Sequence, residues 1–237
     1  MCALLILQGT HNLNRSGGGI NSLTRFLHKI PSEHIKLTVS IHTMRKIHIL
    51  IFLFFLTFNL ANGQTIFYQK LADSAQVLTH QKVTYDPTYS VISYPNGDVP
   101  ADKGVCTDVI IRAYRKLGID LQKEVHEDMK FNFDKYPKNW GLSRPDKNID
   151  HRRVPNLMTF FKRHGTVKTI TDNPQDYQQG DIVCWNLGGE TTHIGIVSRK
   201  RTTDGKRYLM VHNIGAGQVL EDCLFSYRII GHYRYEK

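Results

Sequence analysis

Gly104-Val105-Cys106-Thr107-Asp108-Val109-Ile110-Ile111-Arg112-Ala113-Tyr114-Arg115-Lys116-Leu117-Gly118 decides how the rest of the chain is read. Val109, Ile110, Ala113, Tyr114 and Leu117 recur at helical spacing, and Gly118 is a natural stop. The spacing predicts a helix that starts at about Cys106, with Thr107 and Asp108 suited to its first turn. A free thiol has a pKa near 8.5 and reacts as thiolate. A helix N-terminus stabilises an anion, so this position is expected to lower the Cys106 pKa. The same N–H groups can hold the oxyanion of a tetrahedral intermediate. A buried inert cysteine is the blander account.

Downstream, Val154 to His164 reads as a short helix with Pro155 in its first turn and Gly165 after its end. From Gly180 the texture becomes strand-like: Asp181-Ile182-Val183-Cys184-Trp185, His193-Ile194-Gly195-Ile196-Val197, Tyr208-Leu209-Met210-Val211-His212, and Tyr227 to Tyr235. Thr203-Asp204-Gly205-Lys206 suits a hairpin turn between the second and third. Upstream, Ile66 to Leu78 places Phe67, Leu71, Ala75 and Leu78 on one helical face. Residues 119–153 read as a long, polar, loop-like insertion. Helices followed by an antiparallel sheet make an α+β domain over residues 64–237.

His193 lies at a strand end beside a glycine, where an imidazole can reach a neighbouring helix N-terminus as a general base. His212 ends the next strand. If the two strands are hairpin partners, both rings emerge at one end of the sheet, and His212 can orient His193. Singly, each histidine is better read as a satisfied polar residue at a strand edge; with Cys106 the pair gains a chemical meaning.

The N-terminal part is of another kind. Met44-Arg45-Lys46, the apolar run Ile47 to Leu60, and Ala61-Asn62-Gly63 have the pattern of a secretory signal peptide over 44–63. Fourteen residues rise about 21 Å, short of a hydrocarbon core of about 30 Å. The expectation is an exported protein, periplasmic or extracellular, with no stable membrane anchor after signal removal. Met44 is then read as the true start, and residues 1–43 as an upstream, non-native or disordered extension.

The 237 residues carry 31 Lys+Arg and 21 Asp+Glu, a net charge of +10, which invites a nucleic-acid reading. Residues 1–63 hold Arg15, Arg25, Lys29, Lys36, Arg45, Lys46 and the single acid Glu33. Residues 64–237 are left with a net +5, and only Arg199-Lys200-Arg201 is a tight run. No nucleic-acid partner is expected. The cysteines there are Cys106, Cys184 and Cys223, so at least one thiol is unpaired; a Cys184–Cys223 disulfide stays open.

Together, Gly-Val-Cys106-Thr-Asp before a helix, Gly180-Asp-Ile-Val, Thr-His193-Ile-Gly-Ile-Val and Val-His212-Asn resemble the NlpC-type papain-like cell-wall peptidases. More particularly, Tyr85-Asp86-Pro87, Tyr94-Pro95-Asn96-Gly97-Asp98-Val99-Pro100, Val125-His126-Glu127-Asp128-Met129 and Asn148-Ile149-Asp150-His151-Arg152-Arg153-Val154-Pro155-Asn156 are similar to segments of the YijF-like bacterial family, domain of unknown function 1287. The resemblance covers residues 66–236. It implies a papain-like fold, with N-terminal helices and the nucleophile helix packed on an antiparallel sheet of about four to six strands. It implies an exported cysteine peptidase or amidase that cleaves amide bonds in peptidoglycan stem peptides through an acyl-enzyme, with no metal or cofactor. Cys106 would be nucleophile, His193 base and His212 the orienting residue, and Tyr94 the nearest candidate for the oxyanion tyrosine. Cys106-Thr107-Asp108 stands where such enzymes have Cys-Ser-Gly, so substrate choice does not transfer with the fold.

Asp108 joins the candidate substrate-binding residues. Asp150-His151-Arg152-Arg153 could clamp substrate carboxylates, or Asp150 could cap the following helix while the arginines lie on its surface. Two other readings are kept: a cell-wall binding module without turnover, and a metal site made by Cys106, His193 and His212.

Overall fold

The computed structural model describes residues 41–237, excepting the side chains of 41–43 and 55–65. Most of the N-terminal extension expected from sequence therefore lies outside the described residues. The chain divides into two units, Met1–Leu50 and Ile51–Lys237. In the first, residues from Ile41 are helical, and Met44, Ile47, Ile49 and Leu50 are exposed. No described helix is long and apolar enough to cross a membrane.

Helix α1 (Ile41–Leu78) begins well before the expected Ile66, because the apolar run joins it without a break. Its last turns bury Leu71, Ala75 and Leu78, the face read from the sequence. Helix α2 (Cys106–Arg115) starts where its spacing predicted. The Asp108 carboxylate accepts from the Val105 N–H at 2.7 Å, which settles one of the unpaired donors at its start. Nine of its ten residues are buried, so α2 runs through the core rather than over it. Residues 119–153 are no continuous loop. Helix α3 (Leu121–Asn132) occupies their first third, with the Asp120 carboxylate accepting from the Lys123 N–H at its start. Leu121, Val125 and Met129, four residues apart, form its buried stripe. Helix α4 (Val154–His164) has the predicted bounds.

Strands β1 (Thr84–Tyr85) and β2 (Lys103–Gly104) form a small parallel pair. The main sheet holds β3 (Thr166–Val167), β4 (Ile182–Gly188), β5 (Thr191–Arg201), β6 (Tyr208–His212), β7 (Val219–Glu221) and β8 (Arg228–Arg234). It is antiparallel throughout, in the order β3-β8-β4-β5-β6-β7. The architecture is mixed α+β, as expected.

Both faces of the sheet are covered. Cys184, Ile194, Ile196 and Val211 pack with α1, α2 and α4, while Val183, Trp185, Val197 and Met210 pack with Tyr177, Cys223 and Leu224. This explains why β4 opens as an unbroken apolar run rather than an alternating one. Gly195 is required by close approach: a Cβ there would lie 3.0 Å from the Val211 carbonyl oxygen and 3.2 Å from His212 Cβ. The glycine lets β6 draw His212 in beside β5.

Candidate active site

Three elements converge on the thiol. Backbone N–H groups of Ile194, in β5, and of Thr107 and Cys106, at the start of α2, lie near Cys106 Sγ and favour its anionic form. Asn213, just past β6, donates from Nδ2 to the Gly104 carbonyl at 3.2 Å, which ties the end of β6 to the approach to Cys106. Tyr85 pairs with Gly104 across the small parallel sheet, and its hydroxyl lies within the electrostatic reach of Cys106 and Asp108. Burial raises the Tyr85 pKa, and those two neighbours add to the rise.

The histidines meet as the hairpin reading required. His193 Nε2 lies 2.9 Å from His212 Nδ1, and the rings cross edge to face at 5.1 Å. Trp185, opposite His193 on β4, stacks on its other side at 5.6 Å. His212 Nε2 lies 3.0 Å from a Glu221 carboxylate oxygen and 3.4 Å from Cys223 Sγ. A carboxylate only accepts, so Nε2 of His212 carries a proton. His212 Nδ1 is then bare and accepts from His193 Nε2–H. The lone pair of His193 is left on Nδ1, the tautomer a base toward the thiol needs. Glu221 was missed in the sequence because β7 is three residues long and follows a glycine-rich loop.

Among the described residues, no hydrogen bond joins Cys106 Sγ to His193, whose ring is held by His212. The expected lowering of the Cys106 pKa is overturned. Burial pushes it up to about 12, outweighing the three N–H groups, so the resting thiol is protonated. Burial, then His212, pushes His193 down to about 3.

The remaining candidates separate. Tyr94 is not at the thiol: its ring meets His126 edge to face at 5.2 Å, beside α3. Asp108 and Arg152 are not substrate ligands in this arrangement, because they satisfy each other. The guanidinium binds both carboxylate oxygens at 2.9 Å, and both residues are buried. Asp150 is buried and holds the Asp146 N–H and Arg153; the cap position of α4 is taken by Arg153, so Asp150 is not its cap. Arg153 lies partly exposed, its guanidinium 4.0 Å from the centre of the Trp140 ring. His151 is buried with Nδ1 unpartnered. Burial, then Arg152 and Arg115, holds its pKa down at about 3.

His151 and His193 therefore stay neutral in the fold where an unfolded chain would protonate them. Between pH 6.5 and 3 the unfolded chain binds more protons, so stability present above pH 6.5 is lost as pH falls. Each histidine should contribute a loss on the order of a few kcal/mol between pH 7 and pH 4. Thermal melts across that range check this, and a melting temperature independent of pH would contradict it.

All three described thiols are free, so Cys184 and Cys223 are not bridged. Among the described residues, the group able to hold an ion is His212, Glu221 and Cys223, whose donor atoms lie within 4.8 Å of one another, rather than Cys106, His193 and His212.

The profile of the Domain of unknown function (DUF1287) matches residues 72–235. The chain belongs to the DUF1287 family. It is 54% identical over 165 residues to the protein named Uncharacterized protein YijF of Escherichia coli (strain K12), covering 70% of this chain and 80% of that protein. No solved structure matches. The DUF1287 match thus takes in Cys106, Tyr85, both histidines, Glu221 and Cys223, but begins after the apolar run.

Proposed function

We propose that this DUF1287 chain is an exported cysteine hydrolase, of papain-like NlpC type, that cleaves amide bonds in peptidoglycan stem peptides. The observation that carries the reading is the hydrogen-bond chain from Glu221 through His212 to His193, which leaves His193 Nδ1 as a bare base at the end of the sheet against which α2 and Cys106 pack. A packing role would need no fixed tautomer.

In the proposed reaction His193 Nδ1 takes the thiol proton as Cys106 Sγ attacks the substrate carbonyl carbon. A protonated thiol and a neutral imidazole make this general-base attack rather than a preformed ion pair. The thiol and the ring must close to hydrogen-bond distance when substrate binds, as catalytic contacts often do. The oxyanion is held by the N–H groups at the start of α2 and the Tyr85 hydroxyl. His193 then protonates the leaving amine, the C–N bond breaks, and an acyl-enzyme remains. Water then gives a proton to His193 and attacks the acyl carbon, the C–S bond breaks to release the acid, and His193 returns the proton to Cys106 Sγ.

Tyr85, not Tyr94, takes the oxyanion role here. Tyr85→Phe should lower kcat by about 10²-fold, the usual loss of one oxyanion donor, whereas Tyr94→Phe should leave kcat within about twofold. Equal effects of the two would refute the assignment.

The direct test is digestion of purified sacculi, with the new termini identified by mass spectrometry. Intact sacculi after prolonged incubation, with retained binding, would favour a cell-wall binding module. N-terminal sequencing of the exported protein tests the leader: a mature end upstream of Met44 would sink it.

A further inference from the structure

We propose that His212, Glu221 and Cys223 form a zinc site that switches the histidine pair off, the second half of this resting on the hydrolase reading above. The three donors are an imidazole nitrogen, a carboxylate and a thiol, a set that suits zinc with a fourth position left for water. The two separations from His212 Nε2 are near those a tetrahedral ion imposes. Ordinary zinc bond lengths put nitrogen, oxygen and sulfur about 3.4–3.6 Å apart. Here Nε2 lies 3.0 Å from the carboxylate and 3.4 Å from Sγ, and all three donors fall within 4.8 Å.

The strands explain the convergence. His212 pairs with Val219 across β6 and β7, so Glu221, two residues further along, lies on the same face and diagonal to His212. Cys223 follows two residues on. Glu221 is exposed on the edge strand while His212 and Cys223 are buried, which gives an ion a way in and leaves room for water. Nε2 of His212 has one bonding direction but faces both an oxygen and a sulfur; one proton cannot point at both, whereas one cation serves all three.

Occupancy has a consequence for His193. Zinc on Nε2 displaces the proton there, and the Cys223 thiol also gives up its proton to solvent. A neutral, zinc-bound imidazole carries its proton on Nδ1. His212 Nδ1 then donates to His193 Nε2, and His193 carries its own proton on Nδ1. The two rings hold two protons before and after; only their positions change. His193 Nδ1 becomes a donor and no longer accepts from Cys106.

Equilibrium dialysis against zinc, with cobalt(II) as the optical probe, tests the site without any turnover. One zinc per chain is expected in the wild type and equally in Cys106→Ala. Cys223→Ser should weaken binding by about 100-fold or more, and the cobalt–thiolate absorption should vanish in that variant alone among the single cysteine replacements. The exposed Glu221→Gln provides a second variant that leaves the core untouched, and it too should bind zinc more weakly. Stoichiometric zinc in Cys223→Ser, loss of the cobalt band in Cys106→Ala, or no binding by the wild type would overturn the site. Zinc should also arrest sacculus digestion by the wild type, reversibly with chelator, and spare Cys223→Ser. Full occupancy without arrest would overturn the switch. An inactive wild type that still binds zinc through Cys223 refutes the hydrolase reading and leaves the site standing.

Discussion

Cys106→Ala is expected to abolish release of muropeptide fragments, lowering kcat by at least about 10³-fold while sacculus binding persists. The size follows from the chemistry. Removing Sγ deletes the bond-forming atom, and the N–H groups at the start of α2 are left with only their stabilisation of charge to offer. Cys106→Ser keeps an oxygen there, but a hydroxyl is a far weaker nucleophile beside a neutral imidazole, so it should be as inactive. His193→Ala should be similarly inactive, and the double variant no worse than either alone, because nucleophile and base act as one unit. Undiminished activity in Cys106→Ala would refute the mechanism. Iodoacetamide should label the resting protein slowly, because the thiol is buried and protonated.

Asp108→Asn carries the second large effect, on stability. The substitution conserves shape but removes the negative charge that the buried Arg152 guanidinium binds through two hydrogen bonds. A buried cation left without its partner costs about 3–5 kcal/mol. For a domain of this size that lowers the melting temperature by roughly 6–20 °C. Arg152 also reaches the Asp86 and Thr88 carbonyls, and its own carbonyl accepts from Thr107 Oγ1 at 3.0 Å. The pair therefore fastens the turn before α4 to the first turn of α2 and to the segment that bears Tyr85. A substrate-binding role predicts instead a raised KM with an unchanged melt, so calorimetry beside kinetics separates the two.

Where one periodic pattern governs a segment, its place in the fold was legible. α2, α4 and β6 have the predicted bounds to within two residues, because an apolar stripe with its stop residue leaves few alternatives. The proximity of His193 to His212 was legible too, since a hairpin between β5 and β6 sets both positions. Residues 119–153 misled because polar residues outnumber apolar ones there, although Leu121, Val125 and Met129 already marked a face. Tyr94 is the upstream tyrosine nearest to Cys106 in sequence, and nothing in the sequence singles out Tyr85 for the oxyanion role. A parallel bridge of only two residues, from 84–85 to 103–104, reverses that order in space, and no local pattern announces it. The Cys106 pKa failed for a related reason: the helix N-terminus is visible in the sequence, but the depth at which it is buried is not.

The last strand made, β8, does not lie at an edge. It is inserted between β3 and β4, so the place beside β4 stays vacant until residues 228–234 have been synthesised. Pairings of such long sequence separation form slowly and late. Truncation before Arg228 would leave the facing edges of β3 and β4 open to other chains.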